Sequence, residues 1–259
     1  YIETTDPSFG GDDYIDSGNG PDVVLGGSNA AEDSIPGDVI NAGRDTSRDV
    51  VMGDNGRIDF DTAGRLRTIQ STDESIGGID TINTWDGSDV VFGGYAGDFI
   101  NAGDSFGIAE NQDVVIGDSG WALFEPSLIG PHDMGSETVD GMILRTIRTM
   151  APDKGGDDYI ITTEGDDVVL GGFADDTILA QGVAIDLDIV AGDSGLVNFD
   201  AFEVITNITT TDPLYGGDDT IKTGEGPDIV LGGSGKDDIQ TFGQAYLGEM
   251  DADIVAGDN

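Results

Sequence analysis

Residues Leu214–Gln240 read as three nonamers without a gap, LYGGDDTIK, TGEGPDIVL and GGSGKDDIQ. Each has Gly at position 4, Asp at position 6 and an aliphatic residue at position 8. The last, Gly232–Gln240, fits the full pattern G-G-x-G-x-D-x-U-x, with U a large aliphatic. Glycine supplies backbone conformations with φ > 0 and permits close chain approach. Aspartate offers a hard oxygen ligand of the kind calcium takes. The aliphatic residue points inward from a very short strand, so one nonamer makes a loop plus that strand. Self-similarity at a short fixed period marks a repeat architecture.

The same block occurs four times along the chain. A first Gly-Gly pair falls at Gly10-Gly11, Gly77-Gly78, Gly155-Gly156 and Gly216-Gly217. A second falls 16 residues later each time, at Gly26-Gly27, Gly93-Gly94, Gly171-Gly172 and Gly232-Gly233. A fixed offset implies stacked coils whose register matters. A third marker follows at variable distance: DVVMGD (Asp49–Asp54), DVVIGD (Asp113–Asp118) and DIVAGD (Asp188–Asp193 and Asp253–Asp258). The variable stretch before it reads as a surface loop.

After the third marker the pattern changes. Gly53–Asp73 and Gly192–Asp212 alternate apolar and polar residues around a central turn, at Asp61–Gly64 in the first. That alternation predicts a β-hairpin. The copy in the second repeat is longer and contains the insertion Glu125–Gly141. The unit is three nonamers, a variable loop, a fourth Asp-bearing coil and a hairpin. Four such repeats span approximately 1–70, 71–148, 149–208 and 209–259 as one elongated array. The opening YIETTDP matches a hairpin end, ITTTDP at Ile208–Pro213. The stretch therefore reads as a window on a longer array; a polymer subunit whose ends complete each other is the alternative.

Fifty-two acidic residues against 10 basic give a formal charge of −42. Like charges a few Å apart repel by roughly 1 to 4 kcal/mol per pair, depending on the local dielectric. A disordered acidic chain is the competing reading, but the regular Val-Val-Leu and Asp-Ile-Val strands argue against it. Divalent cations would remove the repulsion, so folding and binding should be one event. The charge excludes nucleic acid and anionic lipid as partners. No apolar run approaches the roughly 18 residues of a membrane span. There is no cysteine and a single histidine, His132, so thiol and triad chemistry lack parts. Paired carboxylates are plentiful, but they stand in ladders, not across a cleft. No catalytic residue is expected and the chain is read as a non-enzyme.

The nonamers resemble the RTX, or haemolysin-type, calcium-binding repeats of secreted bacterial proteins. The resemblance covers the nonamers, about half of the chain, and implies an all-β fold. That fold is a right-handed parallel β-roll or solenoid of four imperfect repeats, each with short calcium-binding coils followed by a hairpin. In the family two nonamers complete one coil, and calcium sits between loops stacked on the same edge. Its ligands are position-6 aspartates and loop carbonyls. Carried over, one edge pairs Asp13 with Asp38, Asp80 with Asp98, Asp158 with Asp176 and Asp219 with Asp237. The other pairs Asp22 with Asp49, Asp89 with Asp113, Asp167 with Asp188 and Asp228 with Asp253. The hairpins lie outside the simple nonamer pattern, so short rolls separated or buttressed by hairpins are expected. Asp54, Asp118, Asp193 and Asp258, at the roll–hairpin junction, either bind further metal or cap a turn.

Smaller features have plain readings. Trp85 in a loop is an edge residue packing on a neighbouring loop, with a sugar-stacking platform as the sharper reading. His132 is an exposed loop residue. Arg57, Arg65, Arg67, Arg145 and Arg148 cluster in hairpins, to pair with carboxylates of an adjoining roll or a neighbouring chain, or simply to aid solubility. The function expected is a calcium-rigidified stalk or filament segment of an extracellular bacterial surface protein, an adhesin or matrix fibre. Its partners are several calcium ions and neighbouring copies set end to end or side by side. An accessory module of a secreted enzyme or toxin is the second expectation.

Overall fold

The computed structural model describes residues 1–29, 37–103, 111–127, 141–241 and 252–258. Within them the chain is all-β, without a helix, and its strands form three sheets. Two are parallel and eight-stranded. An outer one runs from Tyr14–Asp16 to Asp238–Gln240, and a middle one from Val23–Leu25 to Ile254–Asp258. Away from the hairpins, consecutive strands alternate between these two sheets. Neighbours in each sheet are successive coils in register, with one shift, between Ala180 and Ile185 against Thr220–Glu225. Ile82 lies between Ile40 and Ile100, and Val91 between Val51 and Val115.

The position-8 aliphatics explain this arrangement. Most strands of the outer sheet have three residues, enough for one inward side chain each. Ile40, Ile82, Ile100, Ile160, Ile178 and Ile221 point in from the outer sheet. Val51, Val91, Val115, Val169, Val190 and Val230 meet them from the middle sheet, and together they form one core cluster. Each such burial contributes about 1.5–3 kcal/mol.

The middle sheet carries apolar side chains on its other face as well. Val50, Met52, Val90, Phe92, Ile116 and Leu170 flank the inward valines and pack against a third sheet. That sheet is antiparallel and seven-stranded, built from the hairpins laid side by side. The first hairpin is Gly56–Phe60 with Leu66–Ser71, and its turn is held by Asp61, whose Oδ1 accepts the Ala63 and Arg65 amides. The second is Gly120–Pro126 with Met142–Thr149, and the third Gly195–Phe199 with Ile205–Thr210. Ile2–Glu3 pairs antiparallel with Ile58 and Arg57, in the place of a preceding hairpin's last strand.

Of the two arrangements expected, rolls separated by hairpins and rolls buttressed by them, the structure has the second, with continuous sheets in place of short rolls. Val51 pairs directly with Val91 although a whole hairpin lies between them in the chain. Both parallel sheets run uninterrupted, and the hairpins cover one of them. The reason is the apolar outer face of Val-Val-Met, Val-Val-Phe and Val-Val-Ile, which must be buried against another layer.

The pairing of hairpin arginines with an adjoining roll is also corrected. Arg57 binds Asp59 at 2.8 Å and Glu3 at 3.6 Å, and Arg65 binds Asp61 at 2.7 Å. Arg67 and Arg145 share Glu125, at 3.8 and 2.8 Å. These carboxylates all belong to the hairpin layer or its turns. Arg148 lies over the ring of Trp121 in the same sheet. Trp85 packs beneath the guanidinium of Arg44 from the preceding coil, 4.4 Å away. His132 and the core of its insertion lie outside the described residues. Among the described residues no helix is long and apolar enough to cross a membrane.

Candidate metal-binding ladders

The sixteen position-6 aspartates fall into two continuous ladders, one down each edge where the chain passes between the parallel sheets. On the first edge the backbone N–H of each aspartate donates to Oδ1 of the next. The distances are 2.7 Å for Asp13–Asp38, 2.8 Å for Asp38–Asp80, 2.8 Å for Asp80–Asp98 and 2.6 Å for Asp98–Asp158. They continue at 2.8 Å for Asp158–Asp176, 2.8 Å for Asp176–Asp219 and 3.2 Å for Asp219–Asp237. The second edge repeats the rule through Asp22, Asp49, Asp89, Asp113, Asp167, Asp188, Asp228 and Asp253, at 2.8 to 3.1 Å. Every pair drawn from the sequence is adjacent in a ladder, and the ladders also run across the repeat boundaries.

The second carboxylate oxygen behaves differently. On the first edge Oδ2 of Asp38, Asp80, Asp98, Asp158, Asp176 and Asp219 is buried without a hydrogen-bond partner. It points at a column of glycines at the C-terminal ends of the middle-sheet strands. The empty Cβ position of Gly93 lies 2.3 Å from Asp98 Oδ2 and 2.0 Å from the carbonyl oxygen of Gly117. The same pair of oxygens, carboxylate and next-coil carbonyl, surrounds the Cβ positions of Gly26, Gly53, Gly117, Gly171 and Gly192. Any side chain there would fill the cradle. In sequence the signal is the glycine that closes every Val-Val-x or Ile-Val-x triplet, which at Gly26, Gly93 and Gly171 is also the first residue of a second Gly-Gly pair.

Two acceptors facing each other in a buried site need a proton or a cation between them. The titration behaviour agrees. Burial pushes Asp38 up to about 6 and Asp80 up to about 7, and neighbouring ladder carboxylates add to both shifts. Burial pushes Asp219 up to about 8. Asp98, Asp158 and Asp176 are raised well above the carboxylate range, again chiefly by burial. On the second edge Asp49 is pushed up to about 7 and Asp188 to about 10, with Asp167 and Asp186 contributing to the latter.

The donor set is carboxylate and carbonyl oxygen only, which fits a hard cation such as calcium and gives nothing for a soft metal. Among the described residues no three His, Cys, Asp or Glu side chains gather as a metal site. An ion here would therefore draw on backbone carbonyls beside the carboxylates.

The junction aspartates have another task. Asp54 accepts the Gly78 amide on Oδ1 at 3.1 Å and the Tyr95 amide on Oδ2 at 2.6 Å. Asp118 does the same for Gly156 and Phe173, and Asp193 for Gly217 and Ser234. Each clasps two coils of the next repeat with both of its oxygens. The glycines make room: a Cβ on Gly77 would lie 1.9 Å from Asp54, and one on Gly94, where φ is 129°, would lie 2.4 Å from it. So Asp54, Asp118 and Asp193 cap turns, and both Gly-Gly pairs exist partly to admit a clasp.

No protein-family model matches the chain, and neither a curated protein nor a solved structure is significantly similar to it.

Proposed function

We propose that the chain is a calcium-stabilised structural segment of an extracellular bacterial protein, a right-handed β-roll of four repeats that works as a stalk or filament. The observation that carries this reading is the row of buried, unpartnered Oδ2 atoms facing glycine carbonyls along the first edge. Six such acceptors in file are incompatible with a folded anionic chain unless positive charge lodges between them. At neutral pH, outside the cell, millimolar calcium is the cation at hand, and extracellular modules bind it at about 10⁻⁴ to 10⁻³ M.

The residues divide the work. Oδ1 of each ladder aspartate fixes the register of the neighbouring coil, Oδ2 with a glycine carbonyl receives the ion, and the hairpin sheet shields the middle sheet. Ions that bind only the folded chain stabilise it by RT ln(1 + [L]/Kd) at each site. Many linked sites make folding switch-like, so a chain extended where calcium is scarce becomes a stiff rod where it is plentiful. Right-handedness follows the general rule for parallel crossovers.

Circular dichroism with calcium and with a chelator tests the cation, and electron microscopy tests the stalk. Loss of the β signature on chelation and rods in the presence of calcium are expected. An unchanged spectrum in chelator would overturn the reading.

A further inference from the structure

The hairpin sheet does not close evenly on the middle sheet. Next to the register shift in each hairpin stands an apolar pair: Phe60 with Leu66, Phe124 with Leu144, and Phe199 with Ile205. Leu66 is buried in the core between the layers, whereas Leu144 and Ile205 are only partly so. Here lies a cavity of about 360 Å³. Its floor is Val114, Val168 and Ile189, the first residues of three successive middle-sheet strands. Its roof includes Met142, Leu144, Phe199, Val204 and Ile205 from the second and third hairpins. Val204, 57 % exposed, marks its opening. Cavities of about 300–1,000 Å³ with apolar walls and a few placed polar groups are the usual form of a small-ligand site.

Coil register sets the shape. The residue before each ladder aspartate lines one wall in five successive coils: Arg48, Ser88, Gln112, Asp166 and Leu187. Paired strands lie about 4.8 Å apart, so five coils span roughly 19 Å. For its volume the cavity is therefore long, a slot along the stack with room for one narrow chain. At one end the Arg48 guanidinium lies 5.0 Å over the ring of the buried Phe124 and bridges the two layers.

Charge sets the other end. Asp166, in the fourth of the five coils, is exposed, and Glu203 stands beside Val204 in the third hairpin's turn. Asp166 Oδ1 accepts the Leu187 amide at 2.8 Å, which fixes the carboxylate at the rim. The slot thus runs from a guanidinium to a mouth with two carboxylates, on a chain of net charge −42. Such a field draws in a cationic group and repels an anionic one.

We propose that this slot binds a cationic amphiphile, an alkyl or acyl chain that ends in an amine. The chain lies between the layers and the ammonium sits at the mouth beside Asp166 and Glu203. Neither carboxylate belongs to a ladder, so the site does not rest on the calcium reading.

The test displaces the neutral dye N-phenyl-1-naphthylamine from the full chain, with calcium present and at physiological salt to screen loose adsorption. The dye should fill a single saturable site. Decylammonium should displace it about tenfold more tightly than decanoate, with decanol between them. From hexyl- to octyl- to decylammonium, each methylene should tighten binding about fourfold. Asp166→Asn keeps the oxygen for the Leu187 amide and should remove most of the preference for the amine over the alcohol. Val204→Trp should block the mouth and abolish dye uptake, whereas Phe202→Trp, an exposed neighbour outside the lining, should bind as wild type. The wild-type measurements need no variant, so the proposal stays open to refutation if a substitution disturbs folding. A wild-type chain without saturable dye uptake, or a Val204→Trp chain that binds like wild type, would overturn the site. Decanoate displacing the dye as well as decylammonium does would overturn the assignment of a cationic ligand.

Discussion

The backbone N–H of Asp98 meets Oδ1 of Asp158 at 2.6 Å across 60 positions of sequence. The second hairpin and its insertion lie between them in the chain, yet the contact is as close as within a repeat, where Asp80 meets Asp98 at 2.8 Å. The ladder is thus indifferent to what loops out of it. That is the behaviour of a one-dimensional stack, in which each coil answers only to its neighbours.

The glycine column gives the first prediction. Gly93 and Gly117 have no positive φ, so alanine there strains no backbone dihedral. What it meets is oxygen: a Cβ on Gly117 would stand 2.0 Å from Asp158 Oδ2. Gly117→Ala should cost about 1–3 kcal/mol, in the range of overpacked buried sites, and weaken calcium binding as well. A urea titration in calcium reads the first effect. Stability within a few tenths of wild type would show that the cradle is not needed closed.

The clasp is predicted to be separable from the metal. Asp118→Ala takes the acceptor from the half-buried amides of Gly156 and Phe173, at about 0.5–1.5 kcal/mol for each. Both oxygens of Asp118 are already spent, so the number of bound calcium ions should not change in material that still folds. Denaturation and ion counting on the same sample check this. An ion lost with Asp118 would place metal at the junction after all.

How much of this was legible in the sequence follows from what kind of signal each part leaves. Position-6 aspartates and position-8 aliphatics repeat at nine residues, so the ladders and the inner core could be read directly. Asp22 and Asp49 were harder because an insertion separates them, yet they pair at 2.9 Å. The hairpins were legible as hairpins through their alternation around Asp61–Gly64. Their joining into one sheet was not, because Ala122–Ile69 and Ile147–Val197 are contacts between segments with no common period. A cue was present in Val50-Val51-Met52, apolar on both faces, against Thr81-Ile82-Asn83, apolar on one. The clasp of Asp54 on Tyr95, 41 positions away, left no local pattern at all.

The pH response has a definite sign. Asp38, Asp80 and Asp219 have folded values of about 6, about 7 and about 8, raised mainly by burial from an ordinary value of 3.8. An acid raised on folding binds its proton more tightly in the folded state, so the folded state carries more protons than the unfolded one between those values. The stability it contributes is full below about pH 4 and is lost as pH rises through about 6 to 8. The metal-free chain should therefore hold its β structure better at pH 5 than at pH 8. Calcium competes with the same protons, so its affinity should rise over the same interval. Circular dichroism across pH 4–9, with chelator and with calcium, reads both slopes, and a metal-free chain that gains stability toward pH 8 would contradict the burial of these groups.

The last prediction concerns the order in which the layers loosen. The middle sheet is buried on both faces: Val91 and Val115 in the inner core, and Phe92 and Ile116 beneath the hairpin sheet. The outer sheet has one apolar face, and its other side carries half-buried Thr81, Asn83 and Asn101 and the largely exposed Tyr14. Contacts there include the stacked pair Phe99 and Tyr159, with ring centres 5.5 Å apart, and exposed or half-buried hydrogen bonds from Asn83 Nδ2 to Asn41 Oδ1 and from Asn41 Nδ2 to the Tyr14 hydroxyl. Both sheets depend on the aspartate ladders at their edges, but only the middle one has a metal-independent layer against it. On chelation the outer sheet should open first, since local stability follows buried apolar contact. In native-state hydrogen exchange with chelator, the amides of Ile82, Ile100 and Ile160 should exchange about tenfold faster, or more, than those of Val91, Val115 and Val169; tenfold corresponds to about 1.4 kcal/mol. Uniform exchange across both sheets would show instead that the three layers melt as a single unit and that the hairpin sheet lends the middle one no independent stability.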